Sequence, residues 1–502
     1  VDFPAGQHIR GDQLARDESL DCDVAIIGSG AGGAASAWRL AEAGLRVLVL
    51  EEGRKWEPHE LSTRQSWALR NLYAERGTSV ATGNIYLPMP RGRAVGGSTL
   101  LNSAICFRTP KRVLDRWRED FGIPWADEAG LRPVFEEVER AIGVMKVPQV
   151  FAREHNLVFR KGVDALGLKG DFISRNAPGC IGCGLCQLGC PVGGKGSVDR
   201  TLLPLAMGKG AALFSSARVE RILVENGAAV GVEAWGLEPM TETPQRKLTV
   251  KARKVFLCAG AINSPMLLLR QGLANTSGHV GNHLHVHTAS GVCARFPHIV
   301  DAWHGVTQGY YVDLPGRPAV LETFSATPEI YAIQYEAYAK PMETLRHLAS
   351  CGCMLGDEAE GTVRPGPTPS RSVMTYHITD SDLTIIKEGM REVARIYFAA
   401  GALDVHAGLV GQPPVASLAE LDKQLSQAPV DKMSIYASHP MSTNRMSARR
   451  EMGVTKPDGE TWDVQNLVVA DASVFPTSLG VNPQITVMAC ASVIAAQQLA
   501  KG

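Results

Sequence analysis

The sequence predicts an α/β fold in which a parallel-sheet domain carries a second, α+β domain built on an antiparallel sheet. Three observations predict it. Val24-Ala25-Ile26-Ile27 is a short apolar run that reads as a buried parallel strand, and it enters a glycine-rich turn at once. Ala34 to Ala43 has helical spacing and stops at Gly44, and Arg46 to Leu50 is a second apolar strand closed by Glu51. Between residues 288 and 430 short alternating runs take over: Gly291–Arg295, Gly309–Val312, Ala319–Thr323 and Val373–Ile378. Alternation of that kind belongs to antiparallel strands with one wetter face.

At 502 residues the chain is too long for one ordinary core, which predicts two domains. Basic and acidic residues balance at 51 each, so there is no basic field to hold nucleic acid. A hydrophobic content of 45% with 20% charged residues describes a soluble globular protein. No apolar run approaches the roughly 20 residues that span a bilayer. Val1 to Leu20 reads as a polar, partly ordered arm without the pattern of a signal peptide. The 11 cysteines, an odd number without secreted-scaffold spacing, point to a reducing, cytoplasmic setting. A peripheral place at a membrane and an exported form stay open.

Gly28-Ser29-Gly30-Ala31-Gly32-Gly33 matches G-x-G-x-x-G at Gly28, Gly30 and Gly33. The three glycines serve a tight turn, backbone approach to a pyrophosphate, and close packing of helix on strand. The helix start offers free N–H groups and a positive dipole end to phosphates. Glu51, 23 residues past Gly28, stands where a carboxylate accepts from ribose hydroxyls. The set makes a Rossmann-like dinucleotide site, without deciding which dinucleotide binds.

Pro90 to Asn102 reads PRGRAVGGSTLLN. A glycine pair after a basic residue, then small hydroxyl side chains, suits backbone laid against a flat ligand. Together with the glycine turn, this stretch resembles the first signature of the glucose–methanol–choline (GMC) oxidoreductases, G-R-x-x-G-G-S-S-x-x-N, with Thr99 in place of the second Ser. The likeness is to bacterial alcohol dehydrogenase and long-chain alcohol oxidase-like members. It implies FAD, held by Gly28, Ser29, Gly30, Gly33, Glu51, Arg93, Gly96, Gly97, Ser98 and Asn102. No His lies between Pro90 and Pro110, so the resemblance implies non-covalent FAD. Lys111 to Val147 follows as an amphipathic helical scaffold.

Cys180, Cys183, Cys186 and Cys190, followed by Pro191, place four cysteines in an 11-residue window. The spacing C-x2-C-x2-C-x3-C-P is that of a bacterial ferredoxin run. Only one run is present. Either Cys190 closes the same iron–sulfur cluster, or a three-iron cluster forms, or the thiols are structural, reduced or disulfide-linked. Zinc fits less well, because four-cysteine zinc sites usually separate two pairs by a longer gap.

Gly210 to Ala234 reads as three strands. Read alone, Val219 is a core residue; the GMC resemblance implies that its backbone pairs with the adenine. Lys254 to Pro265 is a buried strand entering a turn, with a helix at Met266 to Arg270. It matches the second GMC signature, which implies Gly260 over the FAD. Gly281 to His287 resembles the crossing into the family's substrate domain. His283, His285 and His287 would share one face of a strand, as structural or solvated His rather than as a metal site. A helix at Asp382 to Ala400 ends at Gly401. Phe324, Tyr331, Tyr335, Tyr338, Met342 and Met354 give this region an apolar, aromatic content. Core packing explains them, and a hydrophobic substrate also fits.

His439 sits in H-P-M-x-x-x-R-M, 43 residues before Asn482-Pro483 opens an Ala-rich helix. Both features resemble the C-terminal GMC segment. The resemblance implies that His439 and Asn482 face the flavin N5. It also implies that Asp471 and Ala472 meet the ribityl–pyrophosphate, and that the helix after Pro483, with Thr486, points its N-terminus at the flavin C2 carbonyl. The implied function is oxidation of a primary or secondary alcohol, with His439 as general base and Asn482 positioning the hydroxyl. O2, a quinone or a cytochrome could accept the electrons, and a small or cytochrome subunit is an open partner. Lyase or photodecarboxylase chemistry and plain electron transfer are the alternative readings. The expected domains are 20–284 for FAD, with the Cys-rich insertion 180–191, 285–430 for substrate, and 431–502 returning to FAD with active-site residues.

Overall fold

The strand Glu18–Ile27 has a parallel neighbour on each side, Val47–Leu50 and Pro244–Leu257, which is why its apolar run is continuous. The computed structural model describes residues 3–501 apart from 239, 326–327 and 329–343, so Tyr331, Tyr335, Tyr338 and Met342 lie outside the described residues. Among the described residues the main sheet has eight strands. Their order is His8–Arg10, Ala212–Ser215, Val47–Leu50, Glu18–Ile27, Pro244–Leu257, Ala228–Leu237 and Ala217–Glu225. The eighth, Leu467–Val469, pairs in parallel with Val255–Leu257. Pro244–Leu257 is thus shared between an antiparallel neighbour along its first half and the C-terminal strand along its second.

The helices Ala31–Glu42 and Gln484–Ala500 pack against each other. Both are rich in alanine, which lets their backbones approach closely. The N-terminal arm departs from expectation. His8–Arg10 is an edge strand paired with Leu213–Ser215, and the first long strand already begins at Glu18. Such pairing partners lie two hundred residues away, where local composition carries no signal of them. The expected scaffold at 111–147 is two helices, Lys111–Phe121 and Glu128–Ile142, separated at Gly122, which takes φ +68.

A six-stranded, wholly antiparallel sheet forms the second layer. Its order is Asp404–His406, Ala289–Arg295, Leu348–Leu355, Ala319–Phe324, Tyr310–Asp313 and Gly170–Phe172. The helix Asp380–Ala400 covers it, capped by the Thr379 hydroxyl and ended by Gly401 at φ +97. The helix Gln149–Ala165 packs on that helix, so pieces of the first half of the chain are built into this layer.

Two further expectations change. The helix expected from Met266 begins at Gly260 and runs to Gln271. Pro265, inside it, has no N–H for the Ala261 carbonyl, and the Thr443 hydroxyl donates there instead at 2.6 Å. The three histidines do not share a strand. His283 and His287 take positive φ (60 and 53), and only isolated bridges, Leu284 to Gly361 and His285 to Met441, flank them. Among the described residues no helix is long and apolar enough to cross a membrane.

Candidate active site

Distant segments close on the glycine turn. Gly28 takes φ +97, and a Cβ there would lie 2.4 Å from the Cys258 carbonyl oxygen. A Cβ at Gly33 would lie 1.9 Å from the Gly28 oxygen, the close helix–strand packing that this motif position needs. Gly97 would bring a Cβ to 3.0 Å from the Gly30 Cα, and Gly96 N donates to Ser29 Oγ at 3.1 Å. The loop ending at Asn102 therefore lies directly on the turn. The helix Ala31–Glu42 starts at Gly30 without a side-chain cap, which leaves its first N–H groups for a ligand.

Glu51 is fixed beside this turn. Its Oε2 accepts from Ser29 N and Oγ at 3.0 and 2.7 Å, and its Oε1 from Gly53 N at 2.8 Å. Burial outweighs these bonds and raises its pKa to about 6. Arg93 reaches Glu242 at 3.1 Å and Glu52 at 3.8 Å, and Ser98 Oγ accepts from Gly92 N at 2.9 Å. Val219 lies on the edge strand beside a register break between Val219 and Arg221, which frees backbone groups from the ladder.

Asp471 joins three of these segments. Its Oδ2 accepts from Gly260 N at 2.8 Å and Ser264 Oγ at 2.6 Å, and its Oδ1 from Ser473 N at 2.8 Å. The Ala472 carbonyl accepts from Ser442 N at 3.0 Å, three residues past His439. No atom lies within 4 Å of a Cβ built on Gly260, so that position faces open space. The helix Gln484–Ala500 starts at Pro483, again without a side-chain cap. Asn102 Nδ2 donates to Gln484 Oε1 at 3.0 Å, and the Thr486 hydroxyl is used against Thr109 Oγ1 at 3.0 Å. Open glycine surface, two uncapped helix starts and a buried acid fit FAD.

On the substrate side His439 meets a second imidazole. His287 Nδ1 and His439 Nδ1 are 3.2 Å apart, and His287 Nε2 lies 3.1 and 2.9 Å from Leu479 N and Gly480 N. Two backbone donors on Nε2 require that atom to be an acceptor, so the single proton of neutral His287 sits on Nδ1. It donates to His439 Nδ1, which places the His439 proton on Nε2. Burial lowers both pKa values to about 3, helped by His285 and Arg112 at His287 and by His287 at His439, so both rings are neutral. A proton-bearing Nε2 is a donor, so in this tautomer His439 presents a hydrogen-bond donor on its free edge.

A group that the motifs do not mark stands beside Asn482. Glu322 is 4% exposed, and burial raises its carboxyl pKa to about 8. Gln308 Nε2 donates to its Oε2 at 3.0 Å, while its Oε1 and the Asn482 carbonyl oxygen have no hydrogen bond. The Asn482 amide opposes the upward shift, so it lies close to this carboxyl. The signal in the sequence was an acid in the middle of Ala319–Thr323, a strand otherwise suited to full burial. Phe107 on Tyr311 (4.9 Å between rings) and Phe324 on Tyr436 (6.3 Å) supply aromatic surface in the same layer.

The four clustered cysteines carry no disulfide and line one small cavity with Arg175 and Lys195. Among the described residues no three His, Cys, Asp or Glu side chains could hold a single metal ion.

Comparison with known proteins agrees with this geometry. GMC oxidoreductase models match residues 69–289 and 357–491, and an NAD(P)-binding Rossmann-like model matches 26–56. A GMC-type oxidoreductase of Mycobacterium tuberculosis is 36% identical over 95% of this chain and 76% of its own. A long-chain-alcohol oxidase of Arabidopsis thaliana is 29% identical over 97% of this chain and 69% of its own. A cholesterol oxidase of Acinetobacter baumannii is 23% identical over 94% and 93%. Among solved structures, formate oxidase superposes with a TM-score of 0.73 at 17% identity, over 96% of this chain and 99% of its own.

Proposed function

The chain belongs to the GMC oxidoreductases, FAD-binding flavoproteins, and on that premise we propose that it oxidises the CH–OH group of a hydrophobic alcohol to an aldehyde or ketone. The observation that carries this reading is the neutral His287–His439 pair, whose free edge is a donor; Asn482 stands beside a buried, ionisable Glu322. FAD, bound without a covalent link, supplies the hydride acceptor. The chain's own residues handle the hydroxyl. His439 Nε2–H donates to the substrate oxygen and stabilises the negative charge that develops there. The Asn482 amide orients the hydroxyl without adding charge. Glu322 takes the hydroxyl proton, the role that His439 cannot fill while His287 donates to its Nδ1. The aromatic pairs around Tyr311 and Phe324 favour an apolar substrate, and the relatives named for long-chain alcohols and cholesterol support the same class.

The test is an anaerobic titration of the purified flavoprotein with long-chain primary alcohols and a sterol. Stoichiometric bleaching of the flavin band is expected. If none of these alcohols bleaches it, the reading fails. Cofactor binding has its own check. Gly28→Val would force a branched side chain onto the Cys258 carbonyl at a positive φ. Bound flavin per chain, measured by absorbance, is expected to fall by about tenfold or more.

A further inference from the structure

We propose that Cys180, Cys183, Cys186 and Cys190 hold an iron–sulfur cluster in the cavity that they line with Arg175 and Lys195. The site stands apart from the alcohol-binding residues, and its existence does not rest on their role.

The loop is shaped to turn its thiols inward. Gly182, Gly184 and Gly189 take φ of +73, +74 and +93, and a Cβ at Gly184 would strike the Trp303 carbonyl at 2.3 Å. Cys190 itself takes φ +58, a conformation that costs a non-glycine residue about 1 kcal/mol or more. That turn buries Cys190 in the same cavity as the other three thiols. In two-cluster ferredoxins the fourth cysteine of such a run serves a second cluster; here it faces the first.

Charge is the second, independent observation. Arg175 is 2% exposed; it donates to the Ser103 carbonyl at 2.8 Å and to Cys186 Sγ at 3.0 Å. Lys195, also 2% exposed, donates to the carbonyls of Leu100, Asn102 and Cys186 at 2.6, 2.8 and 3.1 Å. Among the described residues neither cation has a carboxylate within ion-pair distance. Asp199, which acts on Lys195 at longer range, faces Arg200 at 3.6 Å. Two buried cations need an anion beside them. Protonated thiols supply none, whereas thiolates around an iron–sulfide core do. Gly182 N adds a donor to Cys180 Sγ at 3.4 Å.

A single ion does not suit these thiols, since no three of them converge on one point. A cluster spreads its ligands around a polyatomic core and so needs the space between them. Lys195 also ties the cysteine loop to Leu100 and Asn102, next to the FAD site. On the alcohol-oxidising reading, each turnover releases two electrons and two protons. The cluster would pass the electrons one at a time to a one-electron carrier of haem or iron–sulfur type, while Glu322 and solvent take the protons.

The experiment is iron and acid-labile sulfide analysis of protein purified anaerobically and reconstituted with ferrous iron and sulfide. About three to four irons per chain are expected, with a paramagnetic resonance signal that changes on dithionite treatment without any alcohol. Cys183→Ala is expected to lose most of the iron and keep its flavin. Iron-free protein after reconstitution, or stoichiometric zinc in its place, overturns the proposal. Iron with no alcohol-dependent bleaching leaves the cluster standing and sinks the alcohol reading. Bleaching without iron does the reverse.

Discussion

Replacing His439 by Ala is expected to slow flavin reduction by an alcohol about 10²–10⁴-fold while FAD stays bound. The change removes the one neutral donor that His287 holds in a fixed tautomer. Rapid-mixing absorbance under anaerobic conditions measures it, and a rate within about threefold of the unaltered protein would remove His439 from the chemistry. The conservative variant separates two roles. His439→Gln keeps an N–H donor but offers no basic nitrogen. Partial recovery supports donation to the substrate oxygen; no recovery over Ala supports proton abstraction by the ring.

The second large effect is expected at Glu322. As a proton acceptor it must be ionised, so the reduction rate should rise about tenfold per pH unit below its pKa of about 8 and level off above it. Glu322→Gln should be slower by about 10²-fold or more and lose this slope. A profile unchanged in the variant would exclude Glu322. Stability runs the other way. The folded pKa lies above the ordinary carboxylate value, so as pH rises the unfolded chain ionises first. This contribution to stability is complete below the unfolded pKa and declines as pH rises towards about 8. Thermal unfolding of Glu322→Gln should therefore depend less on pH across that window, which distinguishes lost chemistry from lost folding.

The glycine turn proposed to hold FAD was legible where local backbone demands fix the amino acid. Gly28 and Gly33 could be read because a Cβ at either would meet backbone oxygen. His439 and Asn482 stand out as candidates because each sits in a dense local pattern. Glu322 and His287 do not. The roles proposed for them rest on partners outside their own segments: Asn482 and Gln308 for the carboxyl, the Leu479 and Gly480 amides for the ring. The strand His8–Arg10 was missed for a related reason, since its pairing with Leu213–Ser215 leaves no trace in its own polar composition. The helix from Gly260 was placed late because Pro265 reads as a breaker, and the Thr443 hydroxyl that makes it tolerable lies in another segment.

The late strand Leu467–Val469 lies beside Val255–Leu257, with about two hundred residues of chain between them. During synthesis the apolar edge of residues 255–257 has no neighbour on that side until residues 467–469 emerge. An exposed β edge of this kind invites pairing with other nascent chains. Slow translation, or truncation before residue 467, should therefore favour aggregates over a flavin-free monomer, and chaperone demand should be greatest in that interval.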